Sequence, residues 1–172
     1  YEFPRAHTPL KVGKRVAVIG AGNTAMDAAR SALRMGAEEA RVVYRRSEVE
    51  MSARVEEYAH AKEEGVIFQW LTNPIRVIGN ADGWVTGLEC QRMTLGEPDE
   101  SGRARPIPTD EPPVVTPTDT VVVAIGTRPN RLLTKGGQLN TTAWGGLIVD
   151  EASGETSQAG VFAGGDAVTG AA

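Results

Sequence analysis

The sequence predicts an α/β fold: a Rossmann-like parallel sheet with helices, into which an antiparallel β-meander is inserted. Short apolar runs of strand length alternate with segments of helical periodicity, as in βαβ units. The pattern changes after residue 74, where residues 75–78 and 84–93 flank the turn Asn80-Ala81-Asp82-Gly83 and predict a hairpin. Residues 114–115 extend this meander, and the polar, proline-rich residues 96–113 predict a loop.

Each element of the α/β part has its own signal. The first helix is predicted over residues 23–35, with Gly36 as its stop. The second helix is predicted to begin at a Ser52 cap and to end at Gly65. Strands are predicted where β-branched and apolar residues cluster: residues 15–19, 40–44, 66–71 and 120–125.

The junction between the first strand and the first helix carries the strongest motif. Gly20-Ala21-Gly22-Asn23-Thr24-Ala25 matches the G-x-G-x-x-A pattern of dinucleotide-binding folds. Its glycines let backbone amides approach a pyrophosphate at the helix N-terminus, and Ala25 permits close packing of helix and strand. We therefore expect Gly20, Ala21, Gly22, Asn23 and Thr24 to bind a dinucleotide.

Two arginines follow the second strand, where NAD-binding proteins carry an acidic residue. The guanidinium groups of Arg45 and Arg46 suit the extra phosphate of NADP, and Ser47 can add a hydroxyl donor. The pattern therefore predicts NADPH rather than NADH. Arg54 is either a further phosphate contact or a surface residue, and Asp27, expected in the first helical turn, is interpreted as structural.

Composition excludes several classes of function. The net charge of −4 and the absence of a basic run beyond Arg45-Arg46 argue against nucleic-acid binding. No apolar stretch approaches the ~20 residues that span a membrane. The single cysteine, Cys90, allows no internal disulfide and favours a cytoplasmic location. His7 and His60 have no ligand-spaced partners, so no metal site is expected.

Four segments together resemble one family: residues 20–27, residues 44–47 followed by Glu50-Met51, residues 124–130 and residues 160–168. In order and spacing they are similar to the two-dinucleotide flavoprotein reductases, most closely to the small subunit of NADPH-dependent glutamate synthase. The resemblance covers nearly the whole chain from Gly13 to Ala172.

The resemblance implies an NADPH-binding domain inserted into an FAD domain. Residues 12–130 would then form the NADPH-binding domain. Residues 1–11 would be a linker from the FAD domain, and residues 131–172 a returning, partial segment of it.

The resemblance also implies two further sets of cofactor-binding residues. Ala124, Ile125 and Gly126 look like the family's connector at the domain crossover. Gly165 and Asp166 look like its late flavin motif, in which the aspartate hydrogen-bonds the ribityl chain.

The implied reaction is hydride transfer from NADPH to FAD, which needs no acid–base residue, so no catalytic residue is named. The family's first glycine fingerprint, which binds FAD, is not found here. We therefore expect a fragment of a longer protein that holds FAD only at full length, and no helix after Asp166. Expected partners are the rest of the FAD domain and an electron-accepting subunit or iron–sulfur domain.

Two alternatives remain open. One is a non-catalytic NADPH-binding module; the other is a self-contained Rossmann dehydrogenase that uses Tyr58 and Lys62, since Tyr58-x-x-x-Lys62 matches a known catalytic pair. That pair falls too early in the order of elements, and Tyr58 shares the apolar face of its predicted helix. We therefore expect Tyr58 to pack in the core.

Overall fold

The computed structural model describes residues 11–99, 102–126 and 139–170. The chain divides into two compact units, Tyr1–Ile125 and Gly126–Ala172. The first unit contains, in chain order, β1 (Arg15–Ile19), α1 (Asn23–Arg34), β2 (Glu39–Val43), α2 (Val55–Glu63), β3 (Ile67–Gln69), β4 (Thr72–Gly79), β5 (Val85–Pro98), β6 (Ala104–Pro108), β7 (Val114–Pro117) and β8 (Thr120–Val123).

A parallel sheet with the order β3-β2-β1-β8 forms the centre of the first unit. Alternate residues of each strand point to opposite faces. On one face Val16, Val18 and Val42 pack against the helices, where α1 buries Ala25, Met26, Ala29 and Ala32 at helical spacing. On the other face Ala17 and Val43 pack against Leu88 and Cys90 of β5. The expected fold class is thereby confirmed.

The antiparallel meander is longer than its sequence signal. Strand β5 pairs with β4, β6 and β7, and the Asn80 carboxamide oxygen closes the β4–β5 turn by accepting from the amides of Asp82 and Trp84. The loop predicted over residues 96–113 is wrong in part, because β5 continues to Pro98 and β6 follows. Pro106 and Pro108 are tolerated since β6 pairs on one side only, with β5, and an edge strand needs fewer amide donors.

The second helix begins later than predicted. Arg54, not Ser52, is the N-cap of α2. The amides of Ser52 and Ala53 donate to the carbonyl of Ala21, at 3.2 and 3.0 Å, so this segment is held against the glycine turn before the helix starts.

The second unit is built from short pairings. Isolated bridges join Thr141 to Leu147, Val149 to Thr156 and Glu155 to Phe162. A single helical turn, α3 (Asp166–Thr169), follows. The expectation of no helix after Asp166 is therefore wrong, because the amides of Val168 and Thr169 donate to the Gly165 carbonyl and close this turn. None of the helices described here is long and apolar enough to cross a membrane.

Candidate functional site

The glycine turn is fixed between the ends of three parallel strands. Gly20 has a φ of +126°, and a Cβ at this position would lie 2.2 Å from the carbonyl oxygen of Ala124. The amide of Gly20 donates to the carbonyl of Val43, the last residue of β2, at 3.1 Å. The amide of Ala124 donates to the carbonyl of Ile19, the last residue of β1, at 2.8 Å. Only glycine therefore fits here, and the Ala124 carbonyl lies directly against the turn.

The N-terminus of α1 opens from this turn without a side-chain cap. Gly22 is the N-cap and, having no side chain, makes no side-chain cap hydrogen bond. The first-turn amides of a helix, together with the helix dipole, favour an anion. Ala21 is buried, Gly22 and Asn23 are half-buried, and Thr24 is exposed, so the turn is open to solvent at its helical end.

The Asn23 side chain connects the two helices. Its carboxamide oxygen accepts from the amide of Arg54, the N-cap of α2, at 2.8 Å. The N-termini of α1 and α2 are thus held at the same edge of the sheet. The Arg54 residue is exposed there.

The two arginines after β2 have different surroundings. Arg45 is exposed, whereas the Arg46 side chain is only 5% exposed. The Arg46 guanidinium forms an ion pair with Asp99 and donates to the carbonyl of Ala104 at 2.8 Å. The two guanidinium groups therefore have different environments, one open to solvent and one in a buried ion pair.

Ser47 forms a contact with Glu50 that the sequence did not predict. The Ser47 hydroxyl and amide both donate to the Glu50 carboxylate, at 2.6 and 3.0 Å. The Ser47 hydroxyl holds the pKa of Glu50 below its ordinary value. The Ser47-x-x-Glu50 spacing is that of a capping box, a signal that could have identified this contact.

The remaining predicted residues are open to solvent. Ile125 and Gly126 follow β8 and are exposed. In the second unit, Gly165 is the N-cap of α3, and Asp166 is exposed. The first turn of α1 holds no acidic residue; Asp27 lies in the next turn and is exposed, which corrects its expected position.

Tyr58 is a packing residue, as expected. Its ring meets Phe68 edge-on at 4.7 Å and Trp70 at 6.0 Å, and the Lys62 ammonium lies 5.0 Å from its centroid. Burial raises the pKa of Tyr58. A raised pKa opposes the proton-donor role that the dehydrogenase alternative requires.

Cys90, the single cysteine of the sequence, is also a core residue. Burial raises the pKa of its thiol to about 11. The thiol therefore stays protonated near neutral pH and is a poor nucleophile. Within residues 11–99, 102–126 and 139–170, no group of His, Cys, Asp and Glu side chains could hold a metal ion.

Two named relatives match most of this chain. A subunit named NADP(+)-dependent formate dehydrogenase subunit beta, from Moorella thermoacetica, is 47% identical over 95% of this chain and 23% of its own length. A putative glutamate synthase (NADPH) small chain from Cereibacter sphaeroides is 44% identical over 92% of this chain and 38% of its own length. The chain thus spans less than half of either relative.

Fold similarity extends further than sequence similarity. The crystal structure of T. acidophilum thioredoxin reductase superposes with a TM-score of 0.71 at 20% identity, over 92% of this chain and 45% of that chain.

The family model for pyridine nucleotide-disulphide oxidoreductases matches residues 2–171, nearly the whole sequence. The resemblance found in the four motifs is thereby confirmed. This chain belongs to the pyridine nucleotide-disulphide oxidoreductase family.

Proposed function

We propose that this chain is the NADPH-binding part of a flavin-dependent oxidoreductase similar to the glutamate synthase small subunit. One observation carries the proposal: the uncapped N-terminus of α1 and the exposed Arg45 lie at the carboxyl ends of the adjacent strands β1 and β2. Neighbouring strands are about 4.8 Å apart, so one nucleotide can reach both positions.

The residues at this edge fit the two charged parts of NADPH. Backbone amides from Gly20 to Thr24 would hold the pyrophosphate, with the α1 dipole adding to the attraction. The exposed guanidinium of Arg45 would bind the 2′-phosphate, which is absent from NADH. Residues 124–126 would line the approach to the flavin, since Ala124 already lies against Gly20.

The flavin would be held mainly by other parts of the full-length protein. The exposed Asp166 carboxylate can accept a hydrogen bond from a ribityl hydroxyl, and Gly165 lets the backbone come close. In this proposal residues 12–130 form the NADPH-binding domain. Residues 1–11 and 131–172 belong to the linker and to part of the FAD domain.

When bound, NADPH supplies a hydride from its nicotinamide ring, and FAD accepts it. The task of this chain is then to bind the nucleotide, to orient it and to select it over NADH. Tyr58 takes no part because its ring is packed against Phe68 and Trp70.

The electron acceptor lies outside this chain in our proposal. The Moorella relative is named as a subunit and the Cereibacter relative as a small chain, which supports a partner subunit. An iron–sulfur domain is the other electron acceptor that we propose. A cytoplasmic location fits a sequence whose single cysteine, Cys90, is buried.

Titration of the full-length protein with NADPH and NADH tests the proposal. We expect tighter binding of NADPH, and a loss of about 10- to 100-fold on Arg45→Ala, because a hydrogen bond to a charged group contributes roughly 1.5–3 kcal/mol. NADH binding should hardly change. Lys14→Ala is the matched control, since it removes an exposed positive charge just before β1, at the opposite edge of the sheet. Equal affinity of the unmodified protein for both nucleotides would contradict the NADPH assignment.

A further inference from the structure

We propose that Arg46 selects NADPH as a positioning residue, through its buried ion pair with Asp99, rather than by touching the 2′-phosphate. This inference rests on the proposed function, because it concerns how the same site tells NADPH from NADH. It assigns a role in cofactor selection to Asp99, an acidic residue that directly follows β5.

The contacts of Arg46 occupy its guanidinium from two sides. Asp99 pairs with one terminal nitrogen, and the Nε donates to the carbonyl of Ala104 at the start of β6. With 5% of the Arg46 side chain exposed and 25% of the Asp99 side chain, the pair is largely removed from solvent. A 2′-phosphate would have to displace the carboxylate to reach this guanidinium.

The backbone around Arg46 is held by the meander as well. The amide of Leu71 donates to the carbonyl of Arg46 at 3.0 Å, and the amide of Met93 in β5 donates to the carbonyl of Leu71 at 2.8 Å. The amide of Thr72 donates to the carbonyl of Tyr44 at 2.9 Å. The backbone that carries both arginines is therefore attached directly to Leu71 and to Thr72 of β4, and through Leu71 to β5.

Fixing Arg46 inward restricts where Arg45 can point. The two residues are neighbours in a bend that follows β2, so anchoring the side chain of Arg46 limits the backbone that carries Arg45. With the Arg46 side chain anchored between Asp99 and Ala104, Arg45 is left on the solvent side, where it is exposed. If the ion pair is lost, only the backbone hydrogen bonds to Leu71 and Thr72 hold the segment, and Arg45 no longer faces the nucleotide in one conformation.

The experiment measures the ratio of NADH to NADPH dissociation constants in the full-length protein. The variants are Asp99→Asn, Arg46→Met, Arg46→Lys and the double variant Arg46→Met/Asp99→Asn. Glu97→Gln is the matched control, because it removes an exposed negative charge two residues before Asp99. Using the ratio cancels a general loss of folded protein, which weakens both nucleotides alike.

We expect Asp99→Asn and Arg46→Met each to lower this ratio by about tenfold, the size expected for one weakened charge-assisted contact. The double variant should be no worse than either single variant, since both changes break the same pair. Arg46→Lys should restore part of the selectivity. Glu97→Gln should leave the ratio unchanged or raise it slightly, as expected when a negative charge near a phosphate is removed.

If Arg46 bound the 2′-phosphate directly, Asp99→Asn would keep or raise the ratio of NADH to NADPH dissociation constants, whereas the positioning role lowers it. If Asp99→Asn keeps or raises the ratio while Arg46→Met lowers it, the positioning role is wrong. If neither variant changes a ratio that clearly favours NADPH, the inference fails while the proposed function stands. If the unmodified protein does not prefer NADPH, both fail. Should Arg46→Met not fold, the near-isosteric Asp99→Asn decides the matter alone.

Discussion

Gly20 sets the shape of the candidate site because two separate restraints act on this residue. Its φ of +126° is open to glycine and strained for other residues, and an added Cβ would overlap the Ala124 carbonyl oxygen at 2.2 Å. We expect Gly20→Ala to lower the free energy of unfolding by about 2–5 kcal/mol, from backbone strain and overpacking together. Urea denaturation of both proteins measures this difference.

Gly36 provides the matched control for that prediction. Its φ is +100°, but a Cβ added at this position would have no heavy atom within 4 Å. Gly36→Ala should therefore cost only the backbone strain, about 1–2 kcal/mol. If both substitutions lowered the free energy of unfolding equally, the close approach to Ala124 would contribute nothing to the effect of Gly20→Ala.

Substituting Tyr58 tests whether this residue takes part in the reaction or only packs in the core. Tyr58→Phe keeps the ring contacts with Phe68 and Trp70 and removes only the hydroxyl, whose pKa is raised by burial. NADPH oxidation by the full-length protein should therefore keep its kcat within about threefold. A loss of more than roughly 100-fold with folding intact would instead support the dehydrogenase alternative.

For Arg45 and Arg46, the sequence predicts the kind of site but not the orientation of each side chain. The doublet could be recognised from the sequence because it stands after the second strand, where an acidic residue is usual in NAD-binding proteins. Which arginine points outward could not be deduced, since Arg46 is held by Asp99, 53 positions away in the chain. Local patterns carry no information about a partner at that separation.

The two helices are connected by a set of ion pairs. Glu64, which follows α2, pairs with Arg30 and Arg34 of α1, and Arg30 also pairs with Glu57. Hydrogen bonds from these arginines, that from Arg34 foremost, lower the pKa of Glu64 from 4.5 to about 2. The carboxylate is therefore charged in the folded protein across most of the acid range.

This shift predicts a pH dependence of stability. Because the folded pKa of Glu64 is lowered, its contribution is fully present above about pH 4.5, the unfolded value, and is lost as the pH falls through about 2. Urea denaturation between pH 2 and 7 should show Glu64→Gln less stable than the unmodified protein near neutrality, with the difference shrinking below about pH 4.5.

Glu63→Gln is the control for this pH series. Glu63 is an exposed neighbour at the end of α2, so its substitution removes the same charge from the same turn. A pH dependence of equal size in both variants would show that net charge, not the ion pairs with α1, causes the effect.

Element prediction succeeded where local signals are strong. The segment from β1 to β2 was located within a residue or two because buried strands, helical periodicity and glycines coincide there. Strand β6 was missed because its prolines indicate a loop when read alone, and only pairing with β5 makes them part of a strand. The start of α2 was misplaced because Ser52 is held by Ala21, a contact across the fold.

At the scale of the whole molecule, the described residues offer more binding groups for NADPH than for FAD, the two cofactors that we propose. The first unit places the 12-residue helix α1 behind a glycine turn, with an arginine near the adjacent strand end. The described part of the second unit offers a helix of 4 residues, α3, and the exposed Asp166. A helix of this length supplies little dipole and few ordered amides for a pyrophosphate.

From this asymmetry we predict that the 172-residue chain, prepared by itself, binds NADPH but retains no FAD. Fluorescence titration with NADPH checks that the nucleotide site is intact, with Arg45→Ala as the weakened control. For the flavin, the chain is incubated with excess FAD, desalted and examined by visible spectroscopy, with the full-length protein treated in parallel. Only the full-length protein should keep the flavin band near ~450 nm, because most FAD contacts lie outside these residues in our proposal. A stoichiometric flavin band in the 172-residue chain that bleaches when NADPH is added would show that these residues form a complete flavin site, and the assignment of residues 131–172 to a partial one would be wrong.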